Sequence, residues 1–453
     1  MEENTRPCTD LGNAERFNDY YGEKLRYIPE LKRWVRWTTN GWHYANGIKL
    51  AKPVVRGIYK EAHKCPDSNP RVELGQWAKK SESKTVQRFM VDLASVHMET
   101  SLDAFDCAAH LINCRNGVVN LKTKELIPHA PQHLHLKQVN ADYLPKKTCP
   151  RWRQFLAEIF DGDRELIDWI QVAIGYSIMG LTTEHCFFLC YGIGRNGKGV
   201  FLETIREVLG DYGSVAEFET FLQKDRSNVR EMEAVGNLKG KRFVIASETS
   251  DNTRLNEALI KRLTGGDKLL GSKLHASSFE FRPTHTIWFA CNNRPAIKDA
   301  TVAMWERVKA IPFLRSFLGD EQEKGLKDTL QKEYDGIVAW AVEGAYQYLQ
   351  HGLPKDPQVC VEATGQYRQA NDKLSIFIDE CLVREKNATV GVKTVHDRYE
   401  QWCPSANELY PTPLKFFSEN MEERGIRHKR NTNGVVFLNC RLKNDVLVSV
   451  PTW

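Results

Sequence analysis

The sequence predicts an α/β protein in three parts: a mixed α+β N-terminal region, a central α/β core, and a small C-terminal unit of two helices and a hairpin. Three observations carry this. Near-continuous apolar runs alternate with helical segments between residues 185 and about 318, the pattern of strands buried on both faces of a mostly parallel sheet. The first run, Cys186–Tyr191, leads into the glycine-rich stretch Gly192-Ile193-Gly194-Arg195-Asn196-Gly197-Lys198-Gly199 and then a helical pattern over Val200–Leu209. In the tail, helical segments over Thr394–Cys403 and Pro413–Arg424 precede β-rich runs on either side of Asn431–Gly434, which reads as a hairpin turn.

The 453 residues leave room for several domains, and the net charge of +5 is small enough that any nucleic-acid binding must be local. The 12 cysteines are scattered and many lie in apolar runs. No C-x-x-C pair occurs, which argues against zinc and for a reduced, intracellular (cytoplasmic) protein with Cys186 and Cys190 as packing residues. No apolar run is long enough to span a bilayer, so no membrane partner is expected.

Taken in order, residues 1 to about 18 are polar and expected to be loosely ordered. Trp34, Trp37 and Trp42 flank Thr38–Gly41, a hairpin turn between aromatic strands. They form either a small aromatic core, the plainer reading, or a stacking surface for bases. Residues 75–112 read as helical, Asn116–Leu121 as a strand and turn, and Pro128, Pro131, Pro145 and Pro150 as an extended connector. Apolar residues at helical spacing mark Arg153–Ile159 and Glu165–Met179. Within the core the strands are Cys186–Tyr191, Arg242–Ser247, His285–Cys291 and Val308–Phe313; residues 322–350 and Val361–Cys381 are helical.

The chemistry starts at Gly192–Gly199, which fits the phosphate-cradling pattern G-x-x-x-x-G-K. Its glycines let backbone N–H groups curl round phosphates, the helix N-terminus adds positive potential, and Lys198 reaches the outer phosphates. Gly192, Gly194, Arg195, Asn196, Gly197, Lys198, Gly199 and Val200 are the expected nucleotide-binding residues. Glu248, at the end of the strand expected beside this loop, is placed to polarise a water or hold a metal shell. Asn292, ending the next strand, is placed to bond the γ-phosphate or that water, although an Asn at a strand end is commonly a turn residue. Arg307 precedes a strand on the far side of the sheet, where an arginine can serve the nucleotide of a neighbouring subunit. Arg294 and Arg315 are weaker candidates for that role. Between Glu248 and Asn292 lies an amphipathic helix closed by Gly265-Gly266 and a basic segment with Lys268, Lys273 and His275. This reads as a hairpin able to grip a strand through its phosphates. In the tail, two helices and a hairpin form a winged-helix pattern carrying Lys415, Arg424, Arg427, His428, Lys429 and Arg430. Such a charge run is ordinarily a solvated face; clustered on a wing it equally suits DNA contact.

Together these motifs resemble superfamily 3 helicases of the phage/plasmid primase C-terminal type, related to the poxvirus primase-helicase. The carrying residues are Gly192 to Lys198, Gly240 to Glu248, Leu255 to Asp267, Phe279 to Pro283, Asn292, Trp305 to Arg307 and Ile311 to Phe313. The resemblance implies an AAA+-type P-loop ATPase core and a C-terminal winged-helix domain. It implies an ATP- and Mg²⁺-dependent DNA helicase of a phage or mobile element, assembled as a hexameric ring on single-stranded and forked DNA. Origin DNA would meet the winged helix, and a separate primase is a further candidate partner. Lys198, Glu248 (the Walker B acid), Asn292 (sensor 1) and Arg307 (the arginine finger) are the implied catalytic residues. The expected domains are 1–150, a helical collar at 151–184, the core at 185–320, a helical lid or linker at 321–384, and the winged helix at 385–453.

Two residues depart from the usual pattern. Gly199 replaces the Ser or Thr whose hydroxyl holds Mg²⁺, and Ser247 stands where many ring ATPases carry a first acid. The expected metal residues are therefore Glu248 and Ser247, with more water ligands. The region before residue 150 shows no zinc-ligand spacing and no evident paired-acid motif, so helicase without primase activity is expected. The alternative is an origin-binding or helicase-loading protein that uses ATP as a slow switch.

Overall fold

Along the described residues of the computed structural model, 6–223, 229–248, 253–272, 278–297, 301–406, 411–432 and 434–443, apolar runs become strands and periodic stretches become helices. The chain divides into Met1–Pro295 with Glu306–Val361, and Ala296–Trp305 with Glu362–Trp453.

The first unit begins with α1 (Asp10–Tyr21), the antiparallel sheet β1 (Leu25–Ile28), β2 (Arg33–Trp37), β3 (Trp42–Ala45), and helices α2 (Gly47–Lys64), α3 (Ser68–Ser81) and α4 (Lys84–His97). The expectation of a loose N-terminus fails from residue 9 onward: the Thr9 hydroxyl caps α1 by accepting from Gly12 N–H, and Ala14 and Phe17 are buried. The expected 75–112 helical stretch also stops early, at His97, and Leu111–Cys114 is a strand. The aromatic hairpin forms, and Trp34 and Trp42 are buried in it, as the packing reading requires. A second antiparallel sheet follows: β4 (Leu111–Cys114), β5 (Gly117–Asn120) and β6 (Glu125–Ile127). An extended connector then reaches α5 (Pro150–Ile159) and α6 (Arg164–Met179).

The core comprises β7 (Phe187–Tyr191), α7 (Lys198–Leu209), β8 (Gly213–Glu217), α8 (Val229–Gly236), β9 (Phe243–Ser247), α9 (Glu257–Gly265), the antiparallel pair β10 (Leu269–Gly271) and β11 (Phe279–Phe281), β12 (Thr286–Cys291) and β13 (Val308–Pro312); α10 (Val302–Trp305), between β12 and β13 in the chain, belongs to the second unit. Five strands form one parallel sheet in the order β13-β7-β12-β9-β8. This corrects one expectation. The strand of Glu248 is not beside the strand of the phosphate loop, because β12 lies between them. β8, the edge strand, was absent from the expected set: only Gly213 of its five residues is buried, so it lacks an apolar run.

Helices α11 (Leu326–Gln331) and α12 (Tyr334–His351) complete this unit, and α13 (Gln358–Asn371) contains the boundary. Aromatic packing ties α5, α7 and α12 together: Trp152 stacks on Phe201 at 5.7 Å and meets Trp340 edge-on at 5.8 Å. Trp288 of β12 stacks on Phe188 of β7 at 4.1 Å and donates its indole N–H to Ser177 of α6 at 3.1 Å.

A buried charged hub fastens the connector to the amino ends of β8 and β9. Asp106 accepts from the backbone N–H of Leu136 and Lys137, both at 3.2 Å, and pairs with Lys137 Nζ at 2.8 Å. Tyr212 donates to Asp106 at 3.5 Å, and Arg242 lies 4.7 Å over the Tyr212 ring while donating to Ile178 C=O at 2.8 Å. Burial by itself would raise the Asp106 carboxyl, but His135 and Lys137 outweigh it and bring the pKa down to about 2. A depressed carboxylate stabilises the fold above its unfolded value and loses that contribution as pH falls through the folded one. We therefore expect about 2 kcal/mol of stability to disappear between pH ~4 and ~2 in the wild type. Acid denaturation of Asp106→Asn should lack that step; an unchanged profile would refute the assignment.

The second unit has α14 (Lys373–Cys381), β14 (Leu382–Gly391), α15 (Val392–Trp402), α16 (Leu414–Glu423), β15 (His428–Asn431) and β16 (Gly434–Leu442), with sheet order β14-β16-β15. Its core is Phe377, Val395, Tyr399, Trp402, Phe417, Met421 and Phe437. The helix expected over Val361–Cys381 breaks at Asp372, whose carboxylate turns from the chain to cap α14 by accepting from Ser375 N–H at 3.1 Å.

Candidate nucleotide-binding site

Parallel strands place their carboxyl ends on one side of the sheet. Tyr191 pairs with Cys291, and Ser247 with Ala290, so the loop after β7, Glu248 after β9 and Asn292 after β12 converge there. Crevices beyond strand carboxyl ends are where open α/β sheets bind ligands.

The loop is shaped by its glycines. Gly192 has φ +153°, and a Cβ there would sit 2.2 Å from Phe313 O. Gly197 has φ +83°, and a Cβ would sit 2.5 Å from Ile159 Cγ2 on α5. Arg195 also takes positive φ, at +64°. Asn196 is buried and clamps the loop from both sides: its amide donates to Phe313 O at 3.2 Å and its Oδ1 accepts from Lys198 N–H at 3.4 Å. The chain after β13 runs alongside, with Phe317 N–H donating to Arg195 O at 2.8 Å. Gly194, Arg195 and Gly199 are exposed, and Val200 is half-buried.

Lys198 starts α7 and is buried. Its ammonium donates to Gly192 O and, at 3.2 Å, to Asn292 Oδ1. Burial pulls its pKa below the ordinary lysine value, the signature of a desolvated cation that gains from an anionic partner. Glu248 Oε2 accepts from the backbone N–H of Asn292 at 3.2 Å and Asn293 at 3.1 Å. Lys198, Asn292 and Glu248 thus form one connected group across three strands, although β12 intervenes. Thr253 hydroxyl lies 3.5 Å from Glu248 Oε1, and Ser247 is exposed at the end of β9. These hard oxygen donors suit Mg²⁺, whose usual ligands are one or two carboxylates, phosphates and waters.

Gly199 supplies no side-chain oxygen, and a Cβ there would meet nothing within 4 Å. A hydroxyl side chain therefore fits. We expect Gly199→Thr to fold normally and to lower the Mg²⁺ concentration needed for half-maximal ATP hydrolysis. A Mg²⁺ titration indistinguishable from wild type would put residue 199 outside the metal shell.

Arg307 lies elsewhere. Val308 pairs with Phe187 and Pro312 with Tyr191, and Arg307 C=O accepts from Phe187 N–H at 2.9 Å. It therefore sits at the amino end of the sheet, a strand length of about 16 Å from the loop at ~3.3 Å per residue. Its Nε donates to Thr264 Oγ1 at 3.2 Å. Arg294 and Arg315 lie on the loop's side instead: Arg294 is 4.9 Å over the Tyr191 ring, and Arg315 is 4.8 Å over the Phe317 ring and 3.7 Å from Glu321.

Of the expected DNA-contact residues, Lys273 and His275 fall outside the described residues. Lys268 pairs with Glu280 at 3.0 Å across the β10–β11 hairpin. Lys415, Arg427, Lys429 and Arg430 are exposed. Arg424 is instead structural, bonding Asp372 at 3.0 Å and so tying α16 to the start of α14. Asn196 is among the expected nucleotide-binding residues, and its side chain acts as a clamp within the loop; Thr264 is a contact that the sequence does not signal. The Asn at the centre of the glycine loop is a readable signal; a threonine at a helix end is not.

Residues 14–161 match the model described as D5 N terminal like, and residues 190–307 match a family of unknown function, DUF5906. The chain carries a D5 N terminal like region followed by a DUF5906 region. The second match spans Lys198, Glu248, Asn292 and Arg307. Relatives include "Putative helicase L207/L206" of Acanthamoeba polyphaga mimivirus, 25% identical over 66% of this chain and 34% of the relative. "Putative helicase V13" of Sputnik virophage is 29% identical over 49% of this chain and 30% of the relative. "Putative primase C962R" of African swine fever virus (isolate Warthog/Namibia/Wart80/1980) is 22% identical over 66% of this chain and 34% of the relative. The chain spans about a third of the length of these relatives. The resemblance read from the motifs is thus borne out among helicase- and primase-named proteins of DNA viruses. The solved "apo structure of NrS-1 C terminal region (305-718)" aligns over 94% of this chain and 99% of that chain at 10% identity, with a TM-score of 0.48. Among the described residues, no helix is long and apolar enough to cross a membrane.

Proposed function

We propose that this chain is the ATP-driven motor of a viral or mobile-element replication helicase, an AAA+-type ATPase acting as a ring, hexameric by the family resemblance, on single-stranded DNA. The observation that carries the reading is that Arg307 stands at the opposite end of the sheet from the phosphate loop, Glu248 and Asn292. Lys198, Glu248 and Asn292 share the carboxyl end, and Arg307 stands at the amino end. An arginine there cannot serve its own nucleotide but suits that of a neighbouring subunit, which makes assembly a condition of turnover. ATP with Mg²⁺ is the proposed fuel, Glu248 orients the attacking water, and Asn292 senses the γ-phosphate. Glu248 and Ser247 contribute to the metal shell.

From α14 onward the second unit has the element order helix, strand, helix, helix, strand, strand, with the first strand beside the last. That order supports a winged helix, with Lys415 on its last helix, α16, and Arg427, Lys429 and Arg430 at the wing as contacts to forked or origin DNA. Lys268 is proposed to grip the single strand, and Lys273 and His275 are proposed to join it on the family resemblance. Primase activity is kept outside the proposal for these 453 residues.

The test is displacement of a labelled strand from a forked duplex with ATP and Mg²⁺, with ATPase measured with and without single-stranded DNA. ATP-dependent displacement and strong stimulation are expected. Slow, unstimulated hydrolysis without displacement would favour the second reading, an ATP-switched loader or origin binder, which Gly199 and Ser247 motivate.

A further inference from the structure

We propose that Thr264 is the positioning residue that aims Arg307 at the nucleotide of the neighbouring subunit; this rests on the trans-acting reading of Arg307 above. Thr264 is buried in the last turn of α9. Its hydroxyl hydrogen is committed, because Oγ1 donates to Ile260 C=O at 2.8 Å. The same oxygen is therefore oriented as an acceptor, and Arg307 Nε donates to it at 3.2 Å.

A guanidinium is planar, so holding Nε fixes the plane and the direction of the two Nη groups that would meet phosphoryl oxygens. The anchor is itself held. Thr264 C=O accepts from His185 Nδ1 at 3.0 Å, and Gly266, in the left-handed region at φ +76°, ends the helix directly behind it. His185 adjoins β7, and Arg307 C=O accepts from Phe187 N–H. The backbone and the side chain of Arg307 are thereby both referenced to the strand that carries the phosphate loop. The helix end is also a favourable seat for a cation, since α9 presents its last carbonyls there.

The experiment measures steady-state ATPase for Thr264→Val, Thr264→Ser and Arg307→Ala in the full chain, each alone and mixed in equal amounts with Lys198→Ala. Lys198→Ala subunits cannot hydrolyse their own ATP but bring an intact Thr264–Arg307 pair. Thr264→Val keeps the shape and removes the acceptor, so kcat should fall about tenfold through misplacement of the finger. KM for ATP should change less than about twofold, the pattern of a lost transition-state contact. Mixing with Lys198→Ala should restore much of the rate per Thr264→Val site, and Thr264→Ser should run near wild type. A purely structural defect would not be cured by a neighbour. The inference fails if Thr264→Val hydrolyses normally while Arg307→Ala is slow and recovers on mixing. It also fails if Thr264→Val is slow but unaffected by mixing, or if Thr264→Ser is equally slow. Arg307→Ala at wild-type rate would instead overturn the finger reading itself.

Discussion

Lys198→Ala is expected to slow ATP hydrolysis by about 10²–10³-fold, the range for removing one preorganised charge from a transition state. The ammonium is delivered by the first turn of α7 at a point where the Gly192 and Gly197 conformations have already closed the loop around it. It is desolvated, which is why its pKa is lowered, and its two acceptors are a carbonyl and a neutral amide. Neither offsets a buried positive charge as phosphate oxygens would, so nucleotide binding and hydrolysis both draw on it. Phosphate release and nucleotide affinity should therefore fall together, while the melting temperature moves little because no core packing is removed. A Lys198→Ala protein that hydrolyses ATP and unwinds a fork like the wild type would sink the site assignment.

Glu248→Gln should separate binding from chemistry. Glu248 Oε2 accepts two backbone N–H groups from the turn after β12, and a glutamine carbonyl oxygen can keep accepting them. What is lost is the negative charge and the basicity that activates water, worth about 10²–10⁴-fold in rate. ATP should still bind with near-native affinity, and single-turnover hydrolysis should be almost abolished. Alanine is the less informative change: it would leave two N–H groups without their acceptor, at about 1–3 kcal/mol. If Glu248→Gln hydrolyses at more than about a tenth of the wild-type rate, another group activates the water and Glu248 is only a clamp on the Asn292 turn.

Local requirements made the candidate site readable. A phosphate loop needs glycine at particular backbone conformations and lysine at the first helical turn, so its residues are adjacent in the chain. Buried strands need continuous apolar runs, which marked β7, β9, β12 and β13 to within a residue or two. Where the pattern weakens, reading failed. β8 has one buried residue in five, and α1 opens at a cap just where the polar stretch appeared structureless. Arg424 sits within a basic cluster in the sequence, but Asp372, 52 positions away, holds it.

The sequence by itself determined the parts: the glycine-rich loop, the strands around it, the acid, amide and arginine that follow it in the chain, and a basic tail. Only the tertiary structure decided their arrangement. It inserted β12 between the strands of Lys198 and Glu248, yet joined both residues through Asn292. It put Arg307 at one end of the sheet with Arg294 and Arg315 at the other, and set Thr264 against the Arg307 guanidinium. The physical reason is that local patterns encode burial and backbone conformation, whereas parallel strands pair through long crossovers. The order of those crossovers is set by which faces pack together, and that information is spread over the whole chain.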